Sequence, residues 1–309
     1  MSSVRRARRD WWSWAMVYGD RQRCHSILHE SVKRAGSVTP TPSDKHWSRE
    51  LEVARAAAEE AAGILLARDG ADEIREKEGR ADLVTRVDEA SERAIAARIR
   101  ATFPDDAIVA EEFSGEARSA GRRWVVDPID GTMNFVHGHP FACISIAFVD
   151  DDNPAVGVVQ APFLGEVYHA VRGSGAYLNG EPIRVSSVEH WSHSLLATGF
   201  PFKGTKGDPE TYFRLVAQTV SETHGVRRAG AAALDLAYVA AGRLDGYFEI
   251  GLSPWDVAAG ILLVQEAGGI ATGWPGDHQP PIDTGRILAT NGRIHDRLSR
   301  TVVGYIPPL

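Results

Sequence analysis

The chain has 309 residues, 43% hydrophobic and 24% charged, with a formal net charge of −7. This length and balance allow one large domain or two intimate ones around a substantial core, and exclude a disordered polyelectrolyte. No apolar run approaches the roughly 18 residues of a membrane span, and Cys24 and Cys143 form no CxxC or metal-spaced set, which points to a reducing cytoplasm rather than a disulfide scaffold.

Residues 1–46 differ from the rest. Residues 1–38 hold eight Lys/Arg against three Asp/Glu, leaving roughly −12 on the remainder, which argues against an extended nucleic-acid surface on the folded body. Arg5-Arg6-Ala7-Arg8-Arg9 followed by Trp11-Trp12-Ser13-Trp14 imitates a signal peptide, but the apolar part is short and no small-x-small cleavage site follows. The expectation is a basic, disordered extension ending in a Pro40/Pro42 linker. A basic arm touching nucleic acid or lipid, or a start codon set too early, are the alternatives.

From Ser48 to Asp69 the residues Leu51, Ala54, Ala58, Ala61 and Leu65 recur at helical spacing, with Gly70 as the stop. A loop carrying Lys77 leads to Asp82-Leu83-Val84-Thr85, and a second helix is expected from about Asp88 to Phe103, ended by Pro104. Asp88 suits an N-cap or first-turn position. Ala107 to Ala110 reads as a strand running into Glu111 and Glu112; alternate residues of a strand face opposite sides, so only one of these acids can aim inward.

Next comes Trp124-Val125-Val126-Asp127-Pro128-Ile129-Asp130-Gly131-Thr132-Met133-Asn134-Phe135, an apolar run delivering two carboxylates to its end. Pro128 lacks an N–H, so a regular strand should stop at Asp127, with Asp127 and Asp130 converging across a tight turn. The N–H groups of Gly131 and Thr132 would then point out of a short helix. Carboxylates and carbonyls are what hard cations such as Mg²⁺ take, and two such ions roughly 3.5–4 Å apart can clamp a phosphoryl transfer. Free N–H groups add a place for phosphate oxygens. A turn whose acids merely cap neighbouring N–H groups is the plain alternative. His137 and His139 lie nearby without a third softer ligand, and read as surroundings rather than ligands.

Phe141 to Asp150 reads as one strand and Ala155 to Val171 as a hairpin pair, with Asn179-Gly180 a strong turn signal. Two halves are expected, 47–185 and 186–309. In the second, Ser194 to Phe200 is a strand, Pro209 to Thr223 and Ala231 to Arg243 are helices, and Asp245 to Ile250 is a strand bringing Glu249 near its exit. Trp255-Asp256 opens an apolar helix reaching Ala267, where a first-turn acid is favoured by the helix dipole whatever else it does. Gly269 to Thr272 and Arg286 to Thr290 complete a sheet.

Asp127-Pro128-Ile129-Asp130-Gly131-Thr132 resembles the signature of the inositol monophosphatase family, Mg²⁺-dependent, Li⁺-sensitive phosphatases of a layered αβαβα, α+β fold. Ala110-Glu111-Glu112, Asp82 to Asp88 and Trp255 to Gly260 agree with the family in order and character, so the likeness runs from about Trp47 to the C-terminus and is closest to bacterial members. It implies a cage for two or three Mg²⁺ ions made by Glu111, Asp127, Asp130, Asp256 and the Ile129 carbonyl. It further implies direct attack on phosphorus by a metal-activated water, with Thr132, held by Asp88, and Glu111 as activators and Lys77 on a loop near the metals. Gly131 and Thr132 would take phosphate; Asp130, Glu249, Gly230 and Ala232 would take the alcohol; Arg228 could hold a second anion or pair at an interface. Met133 stands where several relatives carry a second threonine.

The implied function is an inositol-1-monophosphatase acting on a small phosphorylated polyol, as a cytoplasmic homodimer with no membrane or nucleic-acid partner. Histidinol phosphate and fructose 1,6-bisphosphate are the alternative substrates within the family. The alternative of another class is a regulatory protein of this fold bound to transcription or RNA-processing machinery. A haloacid-dehalogenase-type phosphatase is rejected, because its two aspartates stand two apart near the domain start, whereas these stand three apart around Pro128.

Overall fold

The computed structural model describes residues 47–68, 74–79, 82–112, 121–200, 208–274 and 280–306, with the side chains of 76–79 and 82–83 outside that set. The extension expected over 1–46 lies outside the described residues.

Alanines let the first helix, α1 (Ser48–Ala67), lie close to its neighbours: Ala54, Ala57, Ala58 and Ala61 are fully buried along one stripe. Beside it runs α2 (Arg86–Thr102), which opens with a capping box. Thr85 accepts from the N–H of Val87 at 3.1 Å, and Asp88 Oδ2 accepts from the N–H of Thr85 at 2.8 Å. Between these helices, β1 (Ile74–Gly79) and β2 (Asp82–Thr85) pair antiparallel. Lys77, expected in a loop, is therefore on a strand: once Asp82–Thr85 is extended, the chain before it gains a hydrogen-bonding edge.

Both helices cover one face of a seven-stranded sheet in order β3 (Ala107–Ala110), β4 (Arg123–Asp130), β5 (Cys143–Asp150), β6 (Asn153–Ala161), β7 (Glu166–Val171), β8 (Ala176–Leu178) and β9 (Glu181–Ile183). Among the described strands of this sheet, only β3 and β4 pair in parallel. Asn179 and Gly180, at φ 51° and 86°, make the tight turn between β8 and β9 that their sequence predicts.

The second sheet has the order β11 (Gly225–Arg227), β10 (Leu195–Thr198), β12 (Gly246–Ile250), β14 (Arg286–Thr290) and β13 (Ile270–Thr272). Between the sheets lie α5 (Ala232–Ala240) and α6 (Pro254–Glu266), whose apolar surfaces are buried nearly all round, as a central layer requires. On the far face lie α4 (Pro209–Glu222) and α7 (His295–Val303). Three buried clusters fill the gaps between layers: Trp124 and Phe148 with α1 and α2, Val125 and Leu263 in the centre, and Tyr212 and Phe248 on the far side. This is the layered α+β arrangement, and its central cluster draws on both 47–185 and 186–309. Among the described residues no helix is long and apolar enough to cross a membrane.

Candidate active site

A β-bulge builds the centre of the site. Along β4, Trp124 and Val126 face α1 and α2, while Val125 faces the central helices, so Asp127 falls on the central face by alternation. Asp130, three residues on, would fall on the opposite face of a regular strand. The ladder with β5, however, pairs Asp127 with Ser145 and Asp130 with Cys143, so one extra residue is absorbed on β4. Pro128 has no N–H to contribute there, its carbonyl accepts from Ser91 Oγ at 3.1 Å, and Asp127 Oδ1 accepts from the N–H of Ile129 at 3.0 Å. The strand does not stop at Asp127, as Pro128 alone suggests; it bulges and continues, and both carboxylates reach one face.

Two further acids arrive from other layers. Asp256 is the third residue of α6 and caps it, Oδ2 accepting from the N–H of Ser253 at 2.6 Å, yet one of its oxygens lies within 4.8 Å of oxygens from both Asp127 and Asp130. The same carboxylate thus serves its own helix start and stands in the acid cluster. Glu111, just past β3, lines the same cleft, whereas the N–H of the neighbouring Glu112 is held by Glu92 at 2.7 Å. Thr132 starts the short helix α3 (Thr132–His137); its hydroxyl has Asp88 Oδ1 at 3.1 Å and the Ile129 carbonyl at 3.0 Å as acceptors. The side chain of Lys77 lies outside the described residues.

Burial, with the charge of neighbouring acids, opposes ionisation of Asp127, Asp130 and Asp88. Asp127 is raised well above the ordinary carboxylate range by burial first, then by Glu111, Asp130 and Asp256. Asp130 is pushed up to about 7, mainly by burial, with the Ala233 N–H opposing the shift. Asp88 is raised by burial too, moderated by its bonds from Thr85 and Thr132.

The other side of the cleft comes from the second half. Gly230, Ala231, Ala232, Arg228, Phe200, Gly199 and Glu249 complete its lining. Asp130 Oδ2 accepts from the N–H of Ala233 at 2.7 Å, and the Ala232 N–H also bonds Asp130. Glu249 takes the Tyr247 hydroxyl, and Gly199 leaves the space its carboxylate fills. Arg228 lies over the Phe200 ring, 5.4 Å from its centroid. At about 230 Å³ the cleft is below the roughly 300–1,000 Å³ of drug-sized sites.

Four residues escape sequence reasoning. Asn134 acts through its side-chain amide on remote backbone carbonyls and Ala233 through its own N–H, and no spacing rule reveals either. Tyr247 could have been flagged as two positions before Glu249 on one strand face. Asp235 is 2% exposed in α5, and among the described residues no hydrogen bond reaches its carboxylate. Its pKa is raised well above the usual value by burial and by Glu249 and Asp130.

A model of the inositol monophosphatase family matches residues 46–306. In sequence the chain is 46% identical over 233 residues to the inositol-1-monophosphatase of Synechocystis sp., covering 74% of this chain and 80% of that protein. It is 44% identical over 239 residues to the Nus factor SuhB of Pseudomonas aeruginosa, covering 76% and 88%. Among solved structures it is similar to inositol monophosphatase from Anabaena (Nostoc) sp., with a TM-score of 0.74 at 40% identity, covering 85% of this chain and 98% of that one. The suhB extragenic suppressor protein of Bartonella henselae gives 0.76 at 36% identity, covering 82% and 98%.

Proposed function

The chain belongs to the inositol monophosphatase family, and from that premise we propose that it hydrolyses a small phosphate monoester with Mg²⁺, inositol 1-phosphate being the first candidate. The observation that carries this reading is the convergence of Asp127, Asp130 and Asp256, with Glu111, on a cleft that also receives Thr132 on its Asp88 tether.

The donor set fits the cation. Every candidate ligand is a carboxylate or carbonyl oxygen, the preference of a hard ion. Of the sulfurs nearby, Met133 lines the cleft as a thioether, a poor partner for a hard ion, and Cys143 is buried with its thiol pushed up by burial, its Sγ 3.7 Å from Asp130 Oδ2. Glu111, Asp127, Asp130, Asp256 and the Ile129 carbonyl would hold two or three Mg²⁺ ions. When bound, Mg²⁺ supplies Lewis acidity, neutralising phosphate charge, lowering the pKa of water and stabilising the departing alkoxide.

The protein's own groups supply orientation and proton transfer. With its single hydroxyl hydrogen given to Asp88, Thr132 Oγ1 presents lone pairs that accept a hydrogen from the attacking water and aim that water's oxygen at phosphorus. Glu111 takes the released proton. The N–H groups of Gly131 and Thr132 receive phosphate oxygens. Glu249, its second oxygen occupied by Tyr247, accepts a hydroxyl of the alcohol, Asp130 a vicinal one, and Arg228 holds further anionic charge where a substrate carries it.

Steady-state kinetics with Mg²⁺ on inositol 1-phosphate, histidinol phosphate, fructose 1,6-bisphosphate and a nucleoside 3′-phosphate tests the proposal. Inositol 1-phosphate is expected to give the highest kcat/KM, with activity lost in Asp127→Asn. A tenfold preference for histidinol phosphate overturns the substrate; turnover of none of the four overturns the reaction. A cytoplasmic homodimer inhibited by Li⁺ belongs to the same proposal, and light scattering and Li⁺ titration check it.

The name Nus factor SuhB, borne by several relatives at 44–47% identity, favours a second reading, binding to transcription machinery. Partner binding that survives Asp127→Asn would separate it from catalysis.

A further inference from the structure

The segment 229–233, which walls the alcohol side of the cleft, is tied to the 127–132 turn by bonds of two kinds. One depends on charge: Asp130 Oδ2 accepts from the N–H of Ala233 at 2.7 Å. The other is neutral: Asn134 Nδ2 donates to the carbonyls of Ala229 at 2.9 Å and Phe141 at 2.7 Å, with the Gly230 carbonyl at 3.5 Å. Each neighbour of that nitrogen is an acceptor, so the amide has one tenable orientation; Oδ1 in its place would oppose three oxygens.

The junction is also close. A Cβ on Gly131 would lie 3.1 Å from the Phe141 carbonyl and 3.2 Å from both the Gly230 carbonyl and the Ala231 Cβ. Gly131 itself has φ 89°. The wall therefore packs on Gly131 too closely to admit a side chain there without adjustment. Asp130, as a proposed cation ligand, changes its charge environment whenever the cation comes or goes, and a tie through Asp130 alone would change with it. The Asn134 bonds carry no such dependence.

We propose that Asn134 is a positioning residue for the substrate alcohol: its amide clasps the 229–233 wall to the phosphate-binding turn in both cation-free and cation-loaded protein, fixing the distance between the two halves of the substrate site. The kinetic half of this inference rests on the phosphatase reading; the structural half does not.

The test uses Asn134→Asp, which keeps the shape but turns an acceptor toward three carbonyls, and Asn134→Ser, which removes the clasp without adding charge and serves where the first variant fails to fold. KM for inositol 1-phosphate is expected to rise at least tenfold, while KM for p-nitrophenyl phosphate, which has no polyol hydroxyls, changes less than threefold and the Mg²⁺ activation constant less than twofold. Amide hydrogen exchange over 229–233 is expected to quicken with and without Mg²⁺, and exchange over 123–127 to stay unchanged. Equal KM changes for both esters, or unchanged exchange over 229–233, overturn the proposal. Where the unsubstituted protein hydrolyses neither ester, the phosphatase reading fails and the exchange measurement alone decides for or against the clasp.

Discussion

Thr132 Oγ1 stands 3.1 Å from Asp88 Oδ1, while the other oxygen of the same carboxylate closes the capping box of α2 at Thr85. One side chain therefore joins the start of a helix to the end of the candidate catalytic turn, 44 residues away. Removing the hydroxyl and removing the carboxylate should have different signatures. Thr132→Val is expected to lower kcat by about 10²–10⁴ with little change in melting temperature. Asp88→Ala loses the same activity and also the cap, costing about 1 kcal/mol of stability. Paired kinetics and thermal melts distinguish them.

The acid cluster opposes itself without a cation. Asp127→Asn replaces a buried carboxyl whose ionisation is opposed by burial and by Glu111, Asp130 and Asp256, and is expected to raise the melting temperature of the cation-free protein. The same substitution should abolish most of the further rise that Mg²⁺ gives the unsubstituted protein. Thermal melts with EDTA and with saturating Mg²⁺ read both effects.

Protons and Mg²⁺ compete for Asp130. Its folded pKa of about 7 is above the unfolded value of 3.8, so below pH 7 the carboxyl is mostly protonated in the native cation-free state, and stability from this group is fully present below 3.8 and lost as pH rises through about 7. Mg²⁺ affinity runs the opposite way. It should strengthen with pH between 6 and 7, by up to about tenfold per unit for one displaced proton, and level off above. Calorimetric titrations in two buffers of different ionisation enthalpy count the proton released.

Gly199 makes room for Glu249. A Cβ there would fall 1.8 Å from Glu249 Oε1, and the flexible carboxylate rather than the backbone must give way. Gly199→Ala is expected to keep the fold, break the bond from Tyr247 and raise KM for a polyol phosphate about tenfold, with kcat less affected. A KM within twofold of the unsubstituted value contradicts the assigned role of Glu249.

Asp235 is raised above its unfolded value by burial, so it too contributes stability at low pH that is lost as pH climbs from 3.8 through its folded value. Asp235→Asn removes the ionisation and should be the more stable protein at pH 8. The difference should shrink by up to about 1.4 kcal/mol per pH unit on descent toward pH 4. Denaturant unfolding at three pH values measures the slope.

What the sequence determined by itself is local. The apolar run Trp124 to Val126, the alanine stripe of α1 and the Asn179-Gly180 turn declare strand, helix and hairpin, because each depends on periodicity or on backbone preferences of a few neighbours. The likeness of four short segments to one family marked the acids, but not how they meet. That was decided by tertiary structure. The ladder between β4 and β5 inserts one residue and turns an odd spacing into a shared face, which Pro128 alone would have suggested was a strand end. Asp256 caps its own helix and still reaches Asp127, because α6 is packed between two sheets. Asn134 and Asp235 have their meaning only there, since hydrogen bonding to remote carbonyls and burial of a carboxyl with no hydrogen bond among the described residues are properties of three-dimensional surroundings that no local pattern encodes.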